Sequence, residues 1–440
     1  AEPLRNYVFN NLASHTLGYL GEISKASLES HKDPTYRQGD FVGKNGLENI
    51  YESLLRGKKG YKEVEVDVSG RELKTLRKLP PENGNNLILT LDVKIQEELE
   101  KLMTGTAEQN MNGSVVVMKV QTGEIIAITS KPSFDPNKFA AGISSQNWKA
   151  LVTDEWHPLQ NRSIHGQYPP GSTYKIVTAI AGLGEGVIKP DTSIFCPGHF
   201  KLGRGLYRCW KKSGHGFMNL HDALVQSCDV YFYTIGHRLG IDTIAKYAKR
   251  SGLGRPTRLG LSREKKGLVP TTQWKLLNKN EPWQLGETIS ASIGQGFNLV
   301  TPIQQVIMMA AVANRGILLK PYLVKRIEGP EGQLRQEFFP EIIGQIGVDP
   351  DHLEQVRMAL RDVVNGARGT GKKSRLKNII VSGKTGTAQV VRMKSNEELE
   401  KGEVIPVKYR DHAWFVAFAP YEKPVLAVAI IVEHGGHGGA

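Results

Sequence analysis

The chain has 440 residues, 40% of them apolar and 23% charged, which excludes wholesale disorder and gives a prior of about two to three domains. Fifty-seven Lys and Arg against 44 Asp and Glu leave a net charge of +13, which suits an anionic partner (nucleic acid, an acidic membrane surface or an acidic polymer) or simple solubility. No zinc-finger, RNA-recognition or helix-turn-helix signature occurs and the basic residues are dispersed, so nucleic-acid binding is set aside. No apolar run reaches the roughly 18 residues of a membrane span. Ala1-Glu2-Pro3-Leu4-Arg5 lacks the apolar core of a signal peptide, so the protein is cytosolic or a targeting segment was removed.

Residues 1–84 are polar, glycine-rich and charged, with Val64-Glu65-Val66-Asp67-Val68 alternating like a half-buried strand. Pro80-Pro81-Glu82-Asn83-Gly84 is a breaker cluster, which divides the chain into 1–84 and 85–440. Leu87–Leu91 reads as a strand, and Asp92 as the cap of a helix with Ile95, Leu99 and Leu102 on one face. Ser114–Val120 and Glu124–Thr129 flank Gln121-Thr122-Gly123, a hairpin signal. Residues 172–320 read as helical. Three more strands follow: Ile379–Val381 continuing to Val391, Trp414–Ala419 and Val425–Val432. The expected fold is α+β, a five-stranded, largely antiparallel sheet with helices on both sides and an inserted helical region. The charged stretch 392–410 reads as a mobile loop.

Ser-x-x-Lys occurs three times, at Ser172–Lys175, Ser262–Lys265 and Ser374–Lys377. Only Ser172 sits between a turn, Tyr168-Pro169-Pro170-Gly171, and an apolar helical run, Ile176–Ala181. That places it at a helix N-terminus, where backbone N–H groups favour a developing anion, with Lys175 on the same face. The other two lie in charged, solvated sequence. Lys384-Thr385-Gly386-Thr387 follows an apolar strand, whereas Lys212-Ser213-Gly214 has none. Between them Ser227-Cys228-Asp229 is the single Ser-x-Asn/Asp triplet after Ser172. The ordered set is the serine–lysine constellation of acyl transfer.

On these residues, with Trp210-Lys-Lys-Ser-Gly-His-Gly216, Gly294-Gln-Gly296, Thr301-Pro302 and Trp414–Pro420, the chain resembles the class B penicillin-binding proteins, and among them the cell-elongation type. Asp229 stands where most relatives have Asn, as in the elongation type. The resemblance covers nearly the whole chain and implies a penicillin-binding-protein and serine β-lactamase-like transpeptidase domain on a small, truncated N-terminal pedestal. It also implies a transmembrane anchor that these residues do not include, and hence a periplasmic or extracytoplasmic domain excised from an inner-membrane protein.

By that resemblance Ser172 attacks the carbonyl between the two terminal D-alanines of a peptidoglycan stem peptide, and an acceptor amine then takes the acyl group. Lys175 is the base, its pKa expected to fall through burial and the nearby Lys384 charge. Ser227 is expected to bridge the two lysines, with Asp229 beside it. The N–H groups of Ser172 and Thr387 form the oxyanion hole, and Lys384, Thr385, Gly386 and Thr387 bind the substrate carboxylate. β-Lactams acylate the same serine. The implied partners are stem peptides, a SEDS-type glycosyltransferase and elongation-scaffold proteins through the pedestal, and the membrane through the anchor. A β-lactamase, a DD-carboxypeptidase and a β-lactam sensor are the alternatives with the same motifs. No catalytic cofactor is expected.

Cys196, Cys209 and Cys228 lie within 33 residues of one another, and His215 is spaced between the last two. Cys196, Cys209, His215 and Cys228 form a Cys₃His inventory suited to a structural zinc, with His199 as a substitute ligand. Free buried thiols and a Cys196–Cys209 disulfide are the other readings.

Overall fold

The computed structural model describes residues 5–30, 33–104, 111–140, 142–389 and 406–439. Five strands form the central sheet: β1 (Gly113–Lys119), β2 (Ile125–Lys131), β3 (Ser382–Ala388), β4 (His412–Ala419) and β5 (Leu426–Val432). Their order is β3-β4-β5-β1-β2, with every neighbouring pair antiparallel, as expected. The two ends of the domain therefore meet in the middle, where β5 pairs with β1. β3 is left as an edge, and it carries Lys384–Thr387.

Both faces of the sheet are apolar because both are covered. Helix α1 (Val93–Leu102) starts at Asp92, whose carboxylate accepts from the N–H groups of Lys94 and Ile95 at 3.0 and 3.1 Å. Its Ile95 and Leu99 pack on Val115, Val117 and Ile126. Leu102 is exposed, and Met103 takes the place expected of it. The opposite face holds Val116, Met118 and Ile128, which join the main core with the inserted helices. Those used below are α2 (Lys175–Gly184), α3 (Leu220–Val225), α4 (Asp229–Leu239), α5 (Pro302–Ala313) and α6 (Pro350–Asn365). Helix α5 lies beneath β1, β4 and β5 and is buried over its whole length. Apart from Gln304 and Gln305, whose amides are hydrogen-bonded, it is apolar all round, the signature of a helix enclosed on every side.

Three expectations change. The strand read at Val64–Val68 exists as Tyr61–Val66, paired with Glu72–Leu79, but the hairpin stands in solvent, with Val66 and Val68 exposed. Among the described residues no second layer covers it, so the alternation has no buried side. The strand read from Leu87 is Asn86–Leu89, and it pairs with Val324–Glu328 in a separate sheet. The strand expected from Ile379 begins at Ser382, opposite Phe418. One residue past Phe418, β4 ends at Ala419, before Pro420, which has no N–H to extend the ladder. Ile379 and Ile380 are consequently exposed. Most of the charged 392–410 stretch lies outside the described residues; Val407–Tyr409 is a single 3₁₀ turn.

The N-terminal segment is tied to the main domain. Glu100 of α1 accepts the Ala13 N–H at 2.8 Å, and His15 donates its Nε2–H to the Pro158 carbonyl at 2.8 Å. No helix among the described residues is long and apolar enough to cross a membrane.

Candidate active site

Ser172 sits in a 3₁₀ turn, Gly171–Tyr174, that runs into α2. The turn is pressed against β3 by contacts only glycine permits. Gly171 has φ +54°, and a Cβ there would lie 2.3 Å from the Thr387 carbonyl. A Cβ on Gly386 would lie 3.1 Å from the Pro170 carbonyl and 2.9 Å from the Thr173 methyl. Buried Trp414 donates its indole N–H to the Pro169 carbonyl at 3.0 Å, and Thr173 accepts from Gln305 at 2.7 Å. Burial of one such indole is worth about 4–6 kcal/mol of transfer free energy, so the seat of the turn is firm. Ser172 is partly exposed, and its hydroxyl makes no hydrogen bond among the described residues.

Lys175, the first residue of α2, is fully buried. Its Nζ donates to the Ser227 carbonyl at 2.9 Å, to Ser227 Oγ at 3.1 Å and to Asp229 Oδ1 at 2.6 Å. The other Asp229 oxygen accepts the Trp210 N–H at 2.9 Å. Ser227 is held by the end of α3. Its N–H bonds the Leu224 carbonyl at 3.3 Å and the Cys228 N–H bonds that of Ala223 at 2.9 Å, a Schellman closure with Ser227 at the left-handed position, φ +54°. Glycine is the ordinary occupant there, so a hydroxyl is carried at the cost of strain.

Lys384 is also fully buried, but its Nζ donates to the neighbouring Thr385 carbonyl at 3.2 Å and not to Ser227. Ser227 thus touches one lysine, not two: Lys175 takes up the serine and the carboxylate, and β3 holds Lys384 along its own backbone. Burial, and then the Lys175 charge, push the Lys384 ammonium well below the ordinary lysine range, with Asp229 opposing. The site holds two buried lysines and one carboxylate, and the carboxylate is on Lys175.

Thr385 donates to the Thr370 hydroxyl at 2.9 Å, and the Thr387 carbonyl accepts from Gln295 at 3.1 Å. Ser172, Lys175, Ser227, Asp229, Lys384, Thr385, Gly386 and Thr387 are brought together where α2, the α3–α4 junction and β3 meet. Thr370, Gln295 and Trp210 were not singled out individually from the sequence. Gln295 and Trp210 lie in stretches quoted for the family resemblance; Thr370 carries no sequence signal.

The Cys₃His set also assembles. The strand Ile194–Cys196 pairs with Gly216–Met218, which brings His215 beside Cys196, and Cys228 caps α4. The four ligand atoms lie within 4.8 Å of one another, and His215 Nδ1 is 3.5 Å from both Cys196 and Cys209 sulfurs. No disulfide joins the cysteines, so the Cys196–Cys209 bridge is not formed. A hydrogen bond from the Cys228 thiol pushes Cys209 down toward the thiolate, while Cys228 is pushed up by the same pairing. His199, on a half-exposed hairpin, is not part of the set.

A family model described as the penicillin-binding protein transpeptidase domain matches residues 113–440, and one described as the penicillin-binding protein dimerisation domain matches residues 1–89. The peptidoglycan D,D-transpeptidase MrdA of Haemophilus influenzae is 36% identical over 99% of this chain and 67% of its own length. The solved structure of Pseudomonas aeruginosa PBP2 in complex with WCK 5153 superposes with a TM-score of 0.84 at 35% identity, over 99% of this chain and 87% of that one. That of Helicobacter pylori PBP2 in complex with MreC gives 0.84 at 35% identity, over 98% and 75%. The chain spans about two thirds of the length of the curated relatives it matches.

Proposed function

Because this chain belongs to the penicillin-binding-protein transpeptidase family, and is thereby a serine D,D-transpeptidase of peptidoglycan and a β-lactam target, we propose that Ser172 is its nucleophile and Lys175, Ser227, Asp229 and Lys384 its proton-handling set. The observation that carries this is Lys175: buried, one turn from Ser172, and hydrogen-bonded to both Ser227 and Asp229. Ser172 Oγ bonds to the carbonyl carbon of the penultimate D-alanine while the oxyanion faces the N–H groups of Ser172 and Thr387. The C–N bond to the terminal D-alanine breaks. The serine proton passes through Lys175 and Ser227 to the departing amine. An acceptor amine then attacks the ester, the new amide forms, and the serine regains its proton. Lys384, Thr385, Gly386 and Thr387, on the open edge of the sheet, receive the substrate carboxylate, whose charge complements a protonated Lys384.

Residues 1–84 serve as a membrane-proximal pedestal and 85–440 as the transpeptidase domain. The pedestal meets elongation-scaffold proteins and a SEDS-type glycosyltransferase, and an N-terminal anchor in the whole protein holds the domain outside the cytoplasmic membrane. The MreC complex of the H. pylori relative supports the scaffold contact. Cys196, Cys209, His215 and Cys228 fit a closed tetrahedral zinc site in donor type and mutual distance. A metal there would supply structure and not chemistry, since all four positions are taken by the protein, and through Cys228 it would brace the wall that holds Ser227 and Asp229.

The test is the intact mass of the chain after hours with a penicillin, with Ser172→Ala alongside. One stable adduct in the parent and none in the variant is expected. An adduct that survives in Ser172→Ala, or drug hydrolysed with no adduct, overturns the assignment.

A further inference from the structure

The catalytic wall has an outward-facing partner. Trp210 follows Cys209 directly and makes three hydrogen bonds to the Ser227 loop. Its backbone N–H donates to Asp229 Oδ2 at 2.9 Å, and its indole N–H donates to the carbonyls of Ser227 and Gln226, both at 3.1 Å. The Ser227 carbonyl is the same oxygen that accepts from Lys175 on the buried side. The two Asp229 oxygens are divided in the same way, Oδ1 to Lys175 and Oδ2 to Trp210. The indole ring stands edge-on to His215, centroids 5.3 Å apart, yet Trp210 is 60% exposed. An indole left this exposed gains little from burial. What it contributes is its ring N–H, spent on the Gln226 and Ser227 carbonyls while the backbone N–H of the same residue holds Asp229.

We infer that Trp210 is a positioning residue that clamps Ser227 and Asp229 from the solvent side and ties that clamp, through its ring, to the Cys₃His cluster. Ser227 needs such a clamp. It occupies a left-handed conformation that serine adopts reluctantly, and its carbonyl must be fixed for Nζ of Lys175 to reach the hydroxyl as well. With the lysine alone the loop is held on one side. With both donors the carbonyl is fixed between them.

This inference rests on the proposed role of Ser172, so the parent chain is measured first; absence of a penicillin adduct there counts against that role and not against Trp210. Trp210→Phe keeps a ring beside His215 and removes the indole N–H. The assay separates the non-covalent Kd for the penicillin from the first-order acylation rate constant. Amide hydrogen exchange is followed by mass spectrometry. We expect the rate constant to fall about tenfold, Kd to stay within twofold, and exchange to rise in residues 223–229 alone. A rate constant within twofold of the parent overturns the inference. So does faster exchange across the whole domain, which would make Trp210 a general structural residue. Should Trp210→Phe not fold, Trp210→Tyr is judged by the same rate and exchange criteria; if neither folds, the local role is refuted.

Discussion

Replacing Ser227 by glycine and by alanine makes opposite demands on stability, and the sign of the difference follows from one backbone angle. At φ +54° a Cβ is strained by about 1–2 kcal/mol, and serine and alanine share that strain. Glycine escapes it but loses about 0.5–1 kcal/mol through greater freedom in the unfolded chain. Ser227→Gly should therefore be more stable than Ser227→Ala by about 0.5–1 kcal/mol. In a regular helix the order is reversed by about 1 kcal/mol. Both variants lose the hydroxyl that accepts from Lys175 at 3.1 Å, which costs each about 1 kcal/mol. The parent and the glycine variant should thus be nearly equal, with alanine below them. Urea unfolding followed by tryptophan fluorescence, with midpoints converted at equal slopes, reads the difference. Penicillin acylation read in parallel should fall at least about a hundredfold in both, because the proton route is broken whatever the stability. A glycine variant no more stable than the alanine one would refute the strained placement of Ser227, and with it the view that stability is given up for a hydroxyl at this position.

Three more outcomes are expected. Lys384 binds fewer protons folded than unfolded, so its contribution to stability is complete above the unfolded lysine pKa of about 10.4 and is lost as pH falls toward its depressed folded value. Lys384→Met should remove that slope, at most about 1.4 kcal/mol per pH unit, and pH-dependent urea midpoints that match the parent's would contradict it. Asp229→Ala leaves buried Lys175 without its carboxylate and should cost about 3–5 kcal/mol, measured by denaturation. Chelator-free protein should carry one zinc by elemental analysis, with Cys209→Ser and His215→Ala losing the metal and melting at lower temperature; parent protein without metal would return the cluster to free thiols.

Local chemistry was legible in the chain itself. The turn before Ser172, the apolar run after it, the Asp92 cap and the hairpin at Gln121-Thr122-Gly123 are set by residues near one another, and each formed where its pattern placed it. The three candidate catalytic stretches and the Cys₃His set were readable too, since their residue types are rare together and their order is fixed by the chain. What the sequence could not hold is anything that depends on distance across the fold. The alternation of Val64–Val68 is the same whether or not a layer covers it, and among the described residues none does. The start of β3 is set by Pro420, 38 residues after Ser382. The partnership of the two lysines was the sharpest case. Sequence places Lys175 and Lys384 in one site, but which of them receives the single carboxylate is decided by the left-handed closure at Ser227, which turns Asp229 toward Lys175 and leaves Lys384 buried along its own strand. Charge in a low-dielectric site depends on ångström-scale separations, and those exist only once the chain has folded.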